Sequence, residues 1–312
     1  MQTRIAILMM APIGQLPQPF LEPDRVPKPT DRDKDVATIR AWVNTQTHLP
    51  PLTDDHLLLF LHSCNYAQDR TQKTIDSYFT TRTNETYLFS DKDPRSGDLK
   101  HVFGVAELVA CPERTKEGYG VLLYRLTDFD PSHVDLLQGM KSFFAFNDVR
   151  LSEDGVIPGY VVVFDMRGIT LSHLAIVTLS GIRKFMHYIQ ECHPCRLKAI
   201  HVINTVKWFD KILTIIKPFV KSELLQMLSM HGEDLSTMFK TIPQSVLPAD
   251  YGGKAPLCKE LHDAHVKLMV DKYTLWLKQE ESLRVDEKKR PDKCKIPKFN
   301  TMEGSFRSLA ID

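Results

Sequence analysis

Three short apolar runs alternate with longer amphipathic segments between residues 119 and 220, and this alternation strongly constrains the fold. The runs are YGVLLYRL (119–126), GYVVVFDMRG (159–168) and LKAIHVIN (197–204). Uninterrupted apolar runs of this length are typical of strands buried on both faces of a sheet. Strands that alternate with helices predict a mostly parallel sheet with helical crossovers, and therefore an α/β domain.

Helical periodicity fills the gaps between these runs. It predicts helices over about 133–149, from Ser172 to Glu191 and over 205–220. A last long helix is predicted in PLCKELHDAHVKLMVDKYTLWLKQEESL (256–283). Together with the strands, these helices predict an α/β domain over residues 96–285.

An all-helical region precedes the first strand. DRDKDVATIRAWVNTQ, LTDDHLLLFLHSCN and DRTQKTIDSYFTTRTNETYLF each place apolar residues at helical spacing. Thr53 is a candidate N-cap of the second helix, and Asp69 is a candidate N-cap of the third. Residues 31–95 are therefore predicted to form a small helical N-terminal domain.

The two ends of the chain have a different composition. Residues 11–30 contain six prolines, which predict an extended arm over residues 1–30. Residues 286–312 are basic and irregular, and the run KKRPDKCK (288–295) is typical of a solvated tail.

Charge and apolar content limit the class of partner. Lys plus Arg total 40 against 39 for Asp plus Glu, so the composition provides no general attraction to nucleic acid. No window approaches the roughly 20 apolar residues of a membrane span, and the apolar run near the N-terminus is short for a signal peptide. The sequence predicts a monomeric, soluble, cytoplasmic protein with at most peripheral membrane contact, its six scattered cysteines reduced.

The stretch QECHPCRLKAIH (190–201) contains Cys192 and Cys195 at CxxC spacing. A reactive CxxC cysteine sits at a helix N-terminus, whereas Cys192 follows the end of a predicted helix, where the negative dipole end raises a thiol pKa. A zinc site would need a fourth ligand that the sequence does not supply. We therefore interpret the pair as the junction between a helix and a strand, and a thiol–disulfide enzyme is only a third hypothesis.

Residues 207–221 form an amphipathic pattern with a wide apolar face. Such a pattern is typical of a core helix, and it is equally compatible with a helix that lies on a bilayer surface. The polar face holds Lys207, Asp210, Lys211, Thr214, Lys217 and Lys221. The apolar face holds Trp208, Phe209, Ile212, Leu213, Ile215, Ile216, Phe219 and Val220.

The histidines of the predicted α/β domain lack the neighbours that a catalytic site requires. His173, His187, His193 and His201 have no serine elbow or paired carboxylate beside them in sequence. The sequence therefore predicts a protein that is not an enzyme and has no metal or cofactor other than a bound lipid.

Five ordered motifs resemble the CRAL-TRIO lipid-transfer family, in particular the branch that contains α-tocopherol transfer protein and cellular retinaldehyde-binding protein. They are VLLYRLTDFDPS, GYVVVFDMRGITLSH, PCRLKAIHVINTVKWFDKILTIIKPF, MHG and IPQSVLPADYGG, and the terminal MEGSFRSLAID resembles insect members. The resemblance implies a three-helix N-terminal module and an α/β domain whose sheet floors an apolar cavity.

The resemblance also implies a mobile helical gate over residues 206–220, which we call the gate segment. Its expected apolar contributors are Trp208, Phe209, Ile212, Leu213, Ile215, Ile216 and Phe219. Expected ligand contacts from the sheet and the helices above it are Phe143, Phe164, Met166, Phe185, Tyr188, Ile189, Ile200, Val202 and Ile203. Because side chains alternate along a strand, only one face of each strand can line the cavity. Tyr188, Ser142 or a bound water is the expected polar partner of the ligand.

A basic cleft that accepts phosphoinositide headgroups is a further implication of the resemblance. Candidate headgroup residues are Arg196, Lys198, Lys217 and Lys221. Four other basic positions of the family pattern are occupied here by His62, Cys64, Glu223 and Met227, so only part of the cleft is expected.

Two functional hypotheses follow from the residues and the resemblance. The first is a non-enzymatic carrier of a tocopherol, retinoid or carotenoid-like isoprenoid that contacts anionic membranes transiently. The second is a lipid-sensing adaptor or phosphoinositide-binding regulatory protein.

Overall fold

The computed structural model describes residues 29–291, and its first part is helical as the sequence predicts. Thr53 caps the second helix as predicted, since its side chain accepts a hydrogen bond from the backbone of His56. The Asp69 cap is wrong, because the third helix starts two residues earlier than that cap requires and its N-cap is Ala67. The helices are α1 (Asp33–Thr45), α2 (Asp54–Ser63), α3 (Gln68–Asn84), α4 (Thr86–Phe89) and α5 (Gly97–Val105).

A five-stranded sheet forms the centre of the second part and confirms the predicted α/β class. The strand order is β1-β2-β3-β4-β5, with β1 antiparallel to β2 and every other pair parallel. β2, β3 and β4 correspond to the three apolar runs, whereas the short β1 and β5 were not predicted. The strands are β1 (Ala106–Ala110), β2 (Gly120–Leu126), β3 (Tyr160–Asp165), β4 (Leu197–Ile203) and β5 (Leu228–Met230).

The helices between and after the strands follow the predicted order, but two predicted helices are divided. The helix predicted over 256–283 is divided by a π-helical turn, Met269–Tyr273. The single helix predicted from Ser172 to Glu191 is two helices, because Val177 adopts an extended backbone and Thr178 caps the second one. They are α6 (Leu136–Asp154), α7 (Leu171–Ile176), α8 (Leu179–His187), α9 (Phe209–Ile216), α10 (Ser222–Gln226), α11 (Cys258–Leu268) and α12 (Thr274–Glu280).

The sheet has a different environment on each face. On one face Val161, Val163 and Ile203 pack into a closed core against the segment 238–258. On the other face Leu122, Val162 and their neighbours turn toward α6. This second face forms the floor of the large cavity described below.

Two predictions lie wholly or largely outside the described residues. The Pro-rich arm over residues 1–30 and the basic tail over 286–312 enter the structure only at residues 29–30 and 286–291. Within residues 29–291, no helix combines the length and the apolar character needed to cross a bilayer.

Candidate functional site

A cavity of about 280 Å³ lies between the sheet, α6, α8 and the gate segment. β2, β3 and β4 contribute its floor through side chains that point to one face of the sheet. Its lining residues are Leu122, Phe143, Asn147, Arg150, Leu151, Tyr160, Val162, Phe164, Met166, Phe185, Met186, Ile189, His193, Cys195, Leu197, Ile200, Val202, Phe209, Ile212, Leu213, Ile216, Val220, Leu224, Leu225 and Leu228. Nearly all of these side chains are apolar, so the space is suited to a hydrophobic molecule.

Most residues expected to contact the ligand surround this cavity, although their contact with a ligand stays a prediction. Those that line it are Phe143, Phe164, Met166, Phe185, Ile189, Ile200 and Val202. From the gate segment, the lining residues are Phe209, Ile212, Leu213 and Ile216, with Val220 in addition.

Tyr188 and Ile203 do not line the cavity. Ile203 follows Val202 on β4 and therefore points to the opposite face, into the closed core. The Tyr188 hydroxyl accepts hydrogen bonds from Arg82 on α3, at 3.0 Å from Nε and 2.7 Å from Nη2. Tyr188 thus belongs to the contact between the N-terminal helices and the α/β domain.

Three of the expected gate contributors also lie off the cavity wall. Trp208 precedes α9, and Ile215 lies on a different side of that helix from its lining residues. Phe219 lies in a 3₁₀ turn that follows α9, where Arg183 stacks over its ring at 5.6 Å. Lys217 begins that turn and is followed by Pro218, which supplies no N–H to continue the α-helix.

The gate segment is held at its C-terminal end by Gln190. The Gln190 side chain donates from Nε2 to the carbonyl of Phe219 at 2.9 Å. Its Oε1 accepts from the backbone N–H of Lys221 at 2.7 Å. Beside this clamp, the Lys221 ammonium pairs with Glu191. The residues just before the CxxC pair therefore fix where the gate segment ends.

The candidate headgroup residues lie in two places. Arg196 and Lys198 both lie near His62, and Arg196 donates from Nε to the His62 carbonyl at 2.5 Å. Lys217 and Lys221 are exposed on the gate segment and just beyond it. Binding of an anionic headgroup by these residues stays a prediction.

The positions that depart from the basic family pattern are partly internal. His62 and Cys64 are 9% and 3% exposed, and His62 Nε2 lies 2.7 Å from the carbonyl oxygen of Ile157. Glu223 is exposed, whereas Met227 is partly buried. His62 and Cys64 therefore pack in the protein interior and present little surface to a headgroup.

Both CxxC cysteines are free; Cys192 is buried and Cys195 is partly buried. Burial raises the pKa of both Cys192 and Cys195 to about 12. The raised Cys192 pKa is confirmed, but its main cause is burial and not the helix terminus expected from sequence. Because the thiolate is the reactive species, both cysteines lack the property that thiol–disulfide exchange requires.

A buried ion network joins the helical module to the α/β domain. Asp148 on α6 pairs with Arg82, and its Oδ2 accepts from Lys92 at 3.2 Å. Arg82 and Lys92 are each 1% exposed. Asp148 therefore pairs directly with both cations, while Glu280 adds a further attraction for Lys92.

Three histidines stay neutral near pH 7, because burial lowers the pKa of His62, His193 and His201 to about 4. An unfolded chain binds protons on them from about pH 6.5 downward, while the folded chain excludes those protons until about pH 4. Each histidine then lowers the free energy of unfolding by up to about 2 kcal/mol between pH 7 and pH 5, so we expect a total fall of several kcal/mol. Urea unfolding at pH 7, 6 and 5 measures this change, and a constant value would contradict the prediction.

The polar lining of the cavity escaped sequence reasoning. Arg150, Asn147 and His193 line it, yet none was expected to contact the ligand. Asn147 and Arg150 lie at the end of the first predicted helix, and His193 lies just after the second. Among residues 29–291, no group of three or more His, Cys, Asp or Glu side chains could hold a metal ion.

Comparison with known families identifies two consecutive regions. Residues 107–253 match the family described as CRAL/TRIO domain. Residues 28–99 match the family described as Pinta-like, UBA domain. The first match contains the whole sheet except part of β1, together with the gate segment.

Individual relatives agree with the first match. The human protein named alpha-tocopherol transfer protein-like is 29% identical over 231 residues, 73% of this chain and 67% of the relative. Human clavesin-2 is 21% identical over 266 residues, 81% of each chain. A solved structure titled "Crystal structure of Sfh5" superposes with a TM-score of 0.50 at 13% identity, covering 80% of this chain and 92% of the other, and so shows a shared fold. The chain therefore contains a CRAL/TRIO domain over residues 107–253, which holds most of the sheet and the gate segment.

Proposed function

We propose that this protein is a non-enzymatic carrier that holds a hydrophobic small molecule in the cavity and transfers it between membranes. The observation that carries the proposal is the cavity of about 280 Å³ with its almost entirely apolar lining. Burying ~500 Å² of an isoprenoid chain contributes about 12 kcal/mol before the costs of binding. A tocopherol, retinoid or carotenoid-like isoprenoid fits this chemistry, and a relative whose name contains alpha-tocopherol transfer supports that class.

The gate segment provides the route for release. Phe209, Ile212 and Ile216 face the cavity, whereas Lys211 is exposed on the same helix and Lys207 is exposed in the turn before it. Each lysine near an anionic membrane contributes about 1 kcal/mol of attraction. A membrane that binds the open gate more tightly than the closed gate shifts the population toward the open form and releases the lipid.

Transfer of labelled α-tocopherol or retinol from donor to acceptor vesicles tests the carrier function directly. We expect the transfer rate to rise with protein concentration and to rise further when acceptor vesicles contain anionic lipid. Saturable lipid binding without any transfer would contradict the carrier proposal. That outcome would favour the lipid-sensing adaptor or phosphoinositide-binding regulator instead.

Loosening the Gln190 clamp is expected to speed release. Gln190→Leu removes the hydrogen bonds to the Phe219 carbonyl and the Lys221 N–H, each worth about 0.5–1.5 kcal/mol. We expect transfer to vesicles to become about 5-fold faster, because the open gate gains population. Gln226→Leu is the matched control, since Gln226 is exposed on α10 and should leave the rate unchanged. Equal rates for the two variants would rule out the clamp.

A further inference from the structure

Among residues 29–291, Arg150 is the only residue with a charged side chain on the cavity wall. It lies on α6, one helical turn before Asp154. The other titratable lining groups are neutral near pH 7, because burial lowers the pKa of His193 to about 4 and raises those of Cys195 and Tyr160. The cavity is therefore apolar except for one guanidinium group.

The Arg150 guanidinium is only partly used by the protein. Nη2 donates to Oδ1 of Asp154 at 2.6 Å. Nε is buried and has no hydrogen-bond partner within the described part of the chain. A buried donor without an acceptor costs about 1–3 kcal/mol. An acceptor atom on a molecule in the cavity would remove that cost.

The groups around Arg150 leave an excess of positive charge. Oδ2 of Asp154 accepts from the Tyr160 hydroxyl at 3.0 Å, and the Arg114 guanidinium lies 3.7 Å from Oδ1. The Asp154 carboxylate thus interacts with both arginines and with the Tyr160 hydroxyl.

The remaining neighbours add only one shared negative charge. Glu153 attracts Arg150, but it is paired with Lys272 at 2.8 Å. His265 also faces Arg150 and stays neutral, because burial lowers its pKa well below 6.5. Excess positive charge in a poorly hydrated site favours an anionic group over a neutral one.

We propose that the lipid held in the cavity ends in a carboxylate that pairs with the guanidinium group of Arg150. The ligand class is then a long-chain or isoprenoid acid, in preference to the corresponding alcohol or ester. Hydrogen bonds between a guanidinium and a carboxylate are roughly twice as strong as neutral ones, so the acid gains most from this contact. The inference rests on the proposed carrier function, because it assigns the ligand of the same cavity.

Binding of three lipids with one common chain tests the assignment: oleic acid, oleyl alcohol and methyl oleate, each radiolabelled. We expect the protein to bind the acid at least ~10-fold more tightly than the alcohol or the ester. Arg150→Met should abolish this preference and leave the affinity for the ester unchanged. Arg114→Met is the matched control, because Arg114 also approaches Asp154 but is exposed and does not line the cavity.

A purely structural Arg150 would behave differently. Its replacement would lower the unfolding temperature without changing the order of lipid affinities. If Arg150→Met does not fold, Arg150→Gln replaces it, since glutamine removes the charge and keeps a donor; the acid preference should then fall below about 3-fold.

The possible outcomes separate this inference from the carrier proposal. Equal affinities of the wild-type protein for acid and ester, or a preference that survives Arg150→Met or Arg150→Gln, would overturn the inference while the carrier proposal stands. Binding of none of the three lipids would overturn it as well. Binding of α-tocopherol in the same assay then decides whether the carrier proposal falls with it.

Discussion

Replacing Asp148 by alanine is expected to lower the free energy of unfolding by about 3–5 kcal/mol. Asp148 on α6 is the common partner of Arg82 and Lys92, both of which are 1% exposed. Removing the carboxylate takes from both buried cations the ion pair that compensates them directly. Of the two cations, Lys92 loses its proton more easily, because burial lowers its pKa. It should therefore become neutral in the variant. Equilibrium urea unfolding followed by circular dichroism measures the loss.

An exposed ion pair serves as the control for this substitution. Asp263→Ala removes the partner of Lys259, whose side chain is 69% exposed, and should cost less than about 1 kcal/mol. A loss below 1 kcal/mol for Asp148→Ala as well would contradict the role assigned to the network.

The pH dependence of the Asp148 effect has a definite sign. Burial alone would raise the pKa of Asp148, but Arg82 and Lys92 hold it below its usual value of 3.8. The stabilisation is therefore complete above about pH 4 and is lost as pH falls through the folded-state pKa. The difference between wild type and Asp148→Ala should be constant from pH 7 to 5 and shrink only in stronger acid.

The sequence predicted the centre of the sheet but not its edges, for a physical reason. β2, β3 and the second half of β4 are largely buried, and that burial requires the apolar runs that identified them. β5 has only three residues, and Ser229 and Met230 are exposed. β1 includes a charged residue, Glu107, which is neutralised by Arg125 on β2 at 2.7 Å. An ion pair between two strands does not change the hydrophobic periodicity of either strand, so periodicity could not identify β1.

The gate segment was predictable to the level of a helix face. A repeat of 3.6 residues groups Phe209, Ile212, Leu213 and Ile216, and these are the residues that line the cavity. Periodicity could not exclude Ile215. The apolar face of the helix is wider than the cavity wall, so it includes apolar residues that do not line the cavity.

Other site residues depended on distant partners. The repeat of two on β4 separates Val202 from Ile203 but does not show which face lies against α6. Tyr188 is bonded to Arg82, which lies 106 residues earlier in the chain. Arg150 was missed because a lone arginine at the end of a helix normally points to solvent.

Phe209→Asp is expected to release bound lipid about 100-fold faster than the wild-type protein. Phe209 is 7% exposed and points into the cavity from the first turn of α9. A carboxylate in this position must either lose hydration in an apolar space or move outward with the helix. Ionised side chains in such surroundings cost several kcal/mol, and about 2.7 kcal/mol against the closed gate corresponds to the 100-fold change.

Phe209→Asp should destabilise the closed gate and not the fold. α9 and the turn after it form one wall of the cavity, while the closed core lies on the other face of the sheet. Thr214→Asp is the matched control, since it adds the same charge to the exposed side of α9. Dissociation of a fluorescent lipid after dilution into excess vesicles measures both variants, and urea unfolding verifies that both remain folded. If Phe209→Asp retains lipid as long as Thr214→Asp does, Phe209 does not close the cavity, because an inward carboxylate cannot be accommodated beside a bound apolar chain without opening the wall.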